Sequence, residues 1–91
     1  MSADNGIYIL QTDGPEFRVQ HCMAIENINW NDDAGDYTED QDVWIKNARV
    51  IFKNAPVFTD EDKAAAFAVK CSKEYSILEY GVQPIKIDRK F

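Results

Sequence analysis

Basic residues are in short supply in this sequence: ten Lys and Arg stand against sixteen Asp and Glu in 91 residues, a formal charge of −6. Non-specific affinity for phosphate backbones comes from a surplus of cations, so direct nucleic-acid binding is not expected. Long apolar runs are missing too. None approaches the ~20 residues needed to cross a bilayer, and no charged-then-apolar signal segment opens the chain, which makes the cytoplasm the expected location and a membrane partner unexpected. With one His and two Cys, the four ligands of a structural zinc site cannot be assembled, and none of the paired spacings occurs. Gly-rich phosphate loops, a Gly-x-Ser-x-Gly nucleophile turn and a paired-cysteine redox motif are absent as well. No cofactor or metal is expected, and any catalysis would be of an unmarked type.

What is present suffices for one small domain over residues 1–91, since 45% hydrophobic and 12% aromatic residues can bury a core without a disulfide. Cys22 and Cys71 are therefore read as reduced thiols. Gly6 to Gln11 and Phe17 to Cys22 are rich in β-branched and aromatic residues, and Thr12-Asp13-Gly14-Pro15 between them is a dense turn signal, so the pair predicts a β-hairpin. Ile7 and Ile9 share one face, Tyr8 and Leu10 the other. Ala24, Ile25 and Ile28 fit a short helical turn.

Asp42 is placed to cap a helix running to about Asn54, with Trp44, Ala48, Ile51 and Ala55 on its apolar stripe and Pro56 stopping it. Thr59-Asp60-Glu61-Asp62 resembles a capping box for a second helix from Asp60 to about Tyr75. Its buried stripe would be Ala64, Phe67, Ala68, Cys71 and Tyr75, which makes Phe67→Ala a cavity-forming change. Ile77 to Ile87 begins as a strand with Leu78, Tyr80 and Val82 on one face and changes parity at Pro84, which suggests a bulge near Gln83 and an edge position. The order of elements predicts an α+β fold: a mostly antiparallel three- to four-stranded sheet with two helices packed on one face.

Four strings, Asp4-Asn5-Gly6-Ile7-Tyr8-Ile9-Leu10, Ala24-Ile25-Glu26-Asn27-Ile28, Pro56-Val57-Phe58-Thr59-Asp60 and Leu78-Glu79-Tyr80-Gly81, resemble a group of small uncharacterised proteins of tailed bacteriophages. The likeness spans most of the chain except its acidic middle. It carries no catalytic or binding residue with it. What it implies is provenance: a phage accessory protein in the host cytoplasm that acts on host machinery, such as a defence or nucleic-acid-handling system.

His21 beside Cys22 invites a nucleophile reading, but successive strand side chains point to opposite faces, so the two cannot form a dyad with each other. The run from Asn31 to Asp42 offers oxygen ligands, yet lacks the Asp spacing around Gly35 that a Ca²⁺ loop requires. Its plain reading is a solvated loop. Its functional reading is a partner-binding surface made of Asp32, Asp33, Asp36, Tyr37, Glu39, Asp40 and Asp42 with Trp30, in which carboxylates draw a basic host protein and aromatics anchor it. A different class, sequestration of a nucleotide-like signal in a pocket between protomers, would use Tyr8, Arg18, Trp30 or Tyr80 for stacking and charge. Arg18 and Gln20 project opposite Phe17 and Val19, toward solvent or a partner, with a salt bridge as the plain alternative for Arg18. Lys86, Arg89 and Lys90 read as a solvated tail. Non-catalytic protein binding is the leading function, and homo-oligomerisation is left open.

Overall fold

Alternating apolar residues on either side of a Gly-Pro turn form the expected hairpin: β1 (Asn5–Gln11) pairs antiparallel with β2 (Phe17–Met23), Ile9 opposite Val19 and Tyr8 opposite Gln20. The computed structural model describes residues 5–23 and 28–91. The expected helical turn over Ala24 and Ile25 lies outside the described residues. Beyond them come a two-residue ribbon of β3 (Trp30–Asn31) and β4 (Asp36–Tyr37), helix α1 (Gln41–Ile51), strand β5 (Val57–Phe58), helix α2 (Glu61–Ser72) and strand β6 (Val82–Lys86). The main sheet has the order β5-β2-β1-β6, with two antiparallel pairings and one parallel pairing, between β1 and β6. The α+β class and the mostly antiparallel sheet are as the sequence predicts.

The helices, however, occupy opposite faces of that sheet. Leu10 and Cys22 pack with Ile45, Ala48 and Phe52 around α1, joined by Ile87 and the half-buried Tyr8 and Ile85. Ile7 and Val19 pack with Ala64 and Ala68 of α2, joined by Ile9, Phe17, Phe58 and Phe67. These are the two parities of the same strands. The reason is the chain route: α2 connects β5 at one sheet edge to β6 at the other and must cross over β2 and β1, while α1 covers the side that crossing leaves bare. Two alanines with no exposed surface let α2 lie close to the strands it crosses.

Local boundaries differ from the sequence reading in ways the backbone explains. Asp40 rather than Asp42 caps α1, accepting a hydrogen bond from the Asp42 backbone N–H. Its buried positions are Ile45 and Ala48, so the core stripe is rotated by one residue from the expected Trp44. Asp60 caps α2 through the N–H groups of Asp62 and Lys63. That helix ends at Ser72, and Tyr75 lies beyond it, stacked on His21 with ring centroids 4.2 Å apart.

The last strand is shorter than its sequence pattern, with no bulge at Gln83. Residues 77–81 instead form a turn fastened to the start of β1. Buried Asn5 donates its side-chain amide to the Ile77 carbonyl (3.1 Å) and accepts the Glu79 N–H (3.2 Å), while its backbone carbonyl accepts the Tyr80 N–H (2.9 Å). Gly81, at φ +63°, then turns the chain into β6, a conformation costly for other residues. Gly6 permits a close approach: a Cβ there would lie 3.1 Å from the Tyr80 Cβ, so the turn would have to shift by a few tenths of an ångström.

The tail is docked through its backbone and Arg89, while Lys86, Arg89 and Lys90 remain exposed as expected. Arg89 pairs with Asp42 at 2.8 Å, the Asp88 N–H bonds to Gln41, and Arg49 donates to the carbonyls of Lys90 and Phe91. Among the described residues no helix is long and apolar enough to cross a membrane.

Phe52 is 1% exposed whereas Phe67 is half-buried, so the larger cavity belongs to α1. Phe52→Ala is expected to destabilise by about 3–5 kcal/mol and Phe67→Ala by less. Denaturant midpoints that rank the two the other way would contradict the packing described.

Candidate functional site

The acidic middle of the chain is an ordered hairpin mounted on α1. In β3 and β4 Trp30 stands opposite Tyr37 and Asn31 opposite Asp36. Asn31 to Asp36 closes tightly: Gly35, at φ +64°, donates its N–H to the Asn31 carbonyl, and the Asn31 side chain accepts the Asp33 N–H. Three side-chain bonds from α1 and one backbone bond hold the hairpin in place. Asn47 of α1 donates its amide to the carbonyls of Ile28 and Trp30, each at 2.7 Å. The Trp44 indole N–H donates to the Thr38 carbonyl at 2.7 Å, and the Thr38 N–H to the Asn29 carbonyl at 2.9 Å.

This arrangement sorts the acidic residues into two groups. Asp40 and Asp42 serve the fold: the first caps α1 and the second pairs with Arg89, whose guanidinium it holds further above its ordinary pKa by hydrogen bond and charge. These two members of the expected partner-binding surface thus have structural tasks of their own. Asp32, Asp33, Asp36 and Glu39 are exposed, and no ion pair engages them among the described residues. The Asp36 carboxylate accepts the Tyr37 N–H at 2.7 Å.

Trp30 and Tyr37 meet edge to face, ring centroids 5.1 Å apart, and stand between two open recesses. One is lined by Trp30, Asn31, Asp32 and Asp33 with Val43, Lys46 and Asn47 of α1. The other is lined by Asn29, Tyr37, Thr38, Glu39 and Trp44. Tyr37 is 59% exposed. Sequence reading finds most of this face, but Asn47, Trp44 and Lys46 enter it from the helix. Their only signal is a 3.6-residue period that places Trp44 and Asn47 on one side of α1.

The four residues of the nucleotide reading are not assembled into one pocket. Arg18 does not face solvent: its side chain is 11% exposed, its guanidinium lies 3.7 Å from the centre of the Phe91 ring, and Glu16 pairs with it at 3.3 Å. The sheet face around Arg18 and Gln20 is the α1 side of the core. Tyr8 also packs on that side, where burial first and Cys22 second raise its phenol pKa. Tyr80 sits in the turn beside Gly6, and Trp30 belongs to the hairpin.

His21 and Cys22 form no dyad with each other. Cys22 lies in the α1 cluster, while His21 faces the other way, its Nε2 3.1 Å from the Asn5 amide nitrogen and its ring on Tyr75. Cys71 packs on the α2 side, so the sheet separates the two sulfurs and neither is in a disulfide. Among the described residues no group of three His, Cys, Asp or Glu side chains is placed to hold a metal ion.

The edge at β6 carries exposed Ile77 and Val82 but is poorly suited to strand addition. Ile7 N–H bonds to the Gly81 carbonyl and Ile87 N–H to that of Gln11, so the parallel pattern turns residues 81, 83, 85 and 87 toward β1. Val82, Pro84 and Lys86 point their backbone groups outward. Pro84 has no N–H to offer there, and Lys86 adds a charge.

Comparison with known proteins adds no relative: no family model, curated protein or solved structure matches the chain.

Burial first and the neighbouring Glu74 second push the Cys71 thiol above its ordinary range, with Lys70 opposing. Its thiolate fraction at pH 8 should fall below that of an unstructured cysteine, so iodoacetamide should modify Cys71 more slowly in the native protein than in the urea-unfolded chain. Equal rates, corrected for the effect of urea on a model thiol, would contradict this environment.

Proposed function

We propose that the protein is a non-catalytic binding module whose Trp30–Asp42 hairpin docks on a basic surface of another protein. The observation that carries this reading is the mounting of the hairpin. A segment serving only solubility has no need of three side-chain hydrogen bonds from α1 to fix it, nor of an aromatic pair at its exposed end. Asp32, Asp33, Asp36 and Glu39 supply the long-range attraction that speeds encounter, and Tyr37 supplies contact area at low entropic cost. If the provenance implied by the resemblance holds, the partner is a host protein, and carboxylates set at intervals along the hairpin would take the place of nucleic-acid phosphates on its basic site. Asp40 and Asp42 contribute to the field while keeping their structural roles.

The test is a combined Asp32→Asn, Asp33→Asn and Asp36→Asn variant, which leaves the α1 cap and the Arg89 pair untouched. Association with a lysine- and arginine-rich peptide, followed by stopped-flow tryptophan fluorescence, should be slower than for the parent at low salt. The difference should shrink as ionic strength rises and the screening length falls to ~8 Å at 0.15 M. Equal on-rates at low salt would reduce the hairpin to a solubility device.

A further inference from the structure

The two recesses beside the Trp30–Tyr37 pair differ in one respect that selects a ligand. The recess next to Trp30 contains Lys46, whose ammonium repels an incoming cation. Among the described residues the recess next to Tyr37 has no cation in its lining, which is Tyr37, Trp44, Glu39, Thr38 and Asn29. Two aromatic residues from different elements, an acidic residue whose carboxylate is in no ion pair among the described residues, and two neutral polar residues thus line one open space.

The two aromatic walls and Thr38 are held in place. The Trp44 indole is fixed by its hydrogen bond to the Thr38 carbonyl and by packing against the α1 core. Tyr37 is braced by Trp30, and Thr38 by the carbonyl of Asn29. Aromatic surface beside a carboxylate suits a planar cation with both an apolar face and in-plane donors. A guanidinium meets both demands, because it stacks on a ring while its edge donates two hydrogen bonds to a carboxylate. An ammonium is a compact, strongly hydrated charge and gains less from the same walls.

We propose that the Tyr37–Trp44 recess binds an arginine side chain of the basic partner, with Glu39 accepting hydrogen bonds from the guanidinium and Tyr37 and Trp44 providing stacking surface. The proposal rests on the hairpin-docking reading above and names the residue the partner must present. It assigns Glu39 a role that the other exposed carboxylates do not share: they set the rate of encounter, whereas Glu39 selects the side chain that anchors.

The probes are three capped nonapeptides of identical length, carrying four arginines, four lysines, or three lysines and one citrulline. Binding is read by tryptophan fluorescence and by the NMR shift of the Trp44 indole N–H. The arginine peptide should bind about fivefold more tightly than the lysine peptide of equal charge, and the citrulline peptide more weakly than both. Glu39→Gln and Tyr37→Leu should each abolish the arginine preference, whereas Tyr37→Phe should retain it. Both positions are exposed, and circular dichroism checks that the fold is kept. Equal affinities for the arginine and lysine peptides, or a preference that survives both variants, would overturn the recess. The triple Asp-to-Asn variant separates this failure from that of the wider reading. Loss of affinity for both peptides in that variant, without arginine preference in the parent, keeps hairpin docking and removes the recess. Arginine preference retained in that variant, with on-rates for both peptides at low salt equal to the parent's, keeps the recess and removes electrostatic steering. No binding of any peptide at low salt removes both.

Discussion

The structure depends on burying one strand from both sides. β1 has β2 on one flank and β6 on the other, and its apolar residues alternate between faces, Ile7 and Ile9 on one and Tyr8 and Leu10 on the other. A strand apolar on both faces needs cover on both. One helix cannot supply it. The chain therefore sends α2 across the sheet on the Ile7 face and sets α1 on the Leu10 face, and the segment from residue 28 to 40 has to reach α1 from the end of β2. The hairpin lies on that path, which is why it is fastened to α1 and not to the sheet.

Charge is distributed in keeping with this route. The two helix N-termini each take an aspartate, Asp40 and Asp60, whose side chain satisfies backbone N–H groups that the helix cannot. One further aspartate, Asp42, fastens the C-terminal tail through Arg89. Ion pairs at such exposure stabilise little, and the tail owes its place more to backbone bonds, with the Arg89 carbonyl accepting from Asp13 and the Phe91 ring lying over Arg18. The hairpin carboxylates have no comparable structural task except Asp36, whose oxygen accepts a local N–H. Their mutual repulsion is a cost to the fold that a positive surface would offset.

Local pattern reveals the elements, but not how they are stacked. The β1–β2 hairpin, both helices, the edge position of Pro84 and the acidic stretch as a separate unit are legible because each depends on residues close in sequence. The helix placement is not, since an apolar helical stripe does not say which sheet face it meets. The clue was present in β1 itself, whose successive residues Ile7, Tyr8, Ile9 and Leu10 leave no polar face to expose. The turn at 77–81 is hidden for a different reason: Leu78, Tyr80 and Val82 alternate as a strand would, whereas the distant Asn5, through three hydrogen bonds, fastens their backbone in a turn. Arg18 was misplaced by the same kind of long-range contact. Its cover is Phe91, at the other end of the chain.

The candidate site follows the same division. Composition marks the carboxylates and Tyr37, yet composition alone describes a charged loop, and a loop that must order on binding gives up part of its interaction energy to conformational entropy. The side chains that prevent this loss come from α1. Asn47 spends both amide hydrogens on hairpin carbonyls, and Trp44 closes the other side through its indole N–H. Ordering is thereby met during folding, where burial of the α1 core supplies the free energy. In the docking we propose, the hairpin would meet its partner with the aromatic pair already in contact and the carboxylates already spaced. Charge would then govern how fast the surfaces meet, and the shape of the recesses which side chain stays.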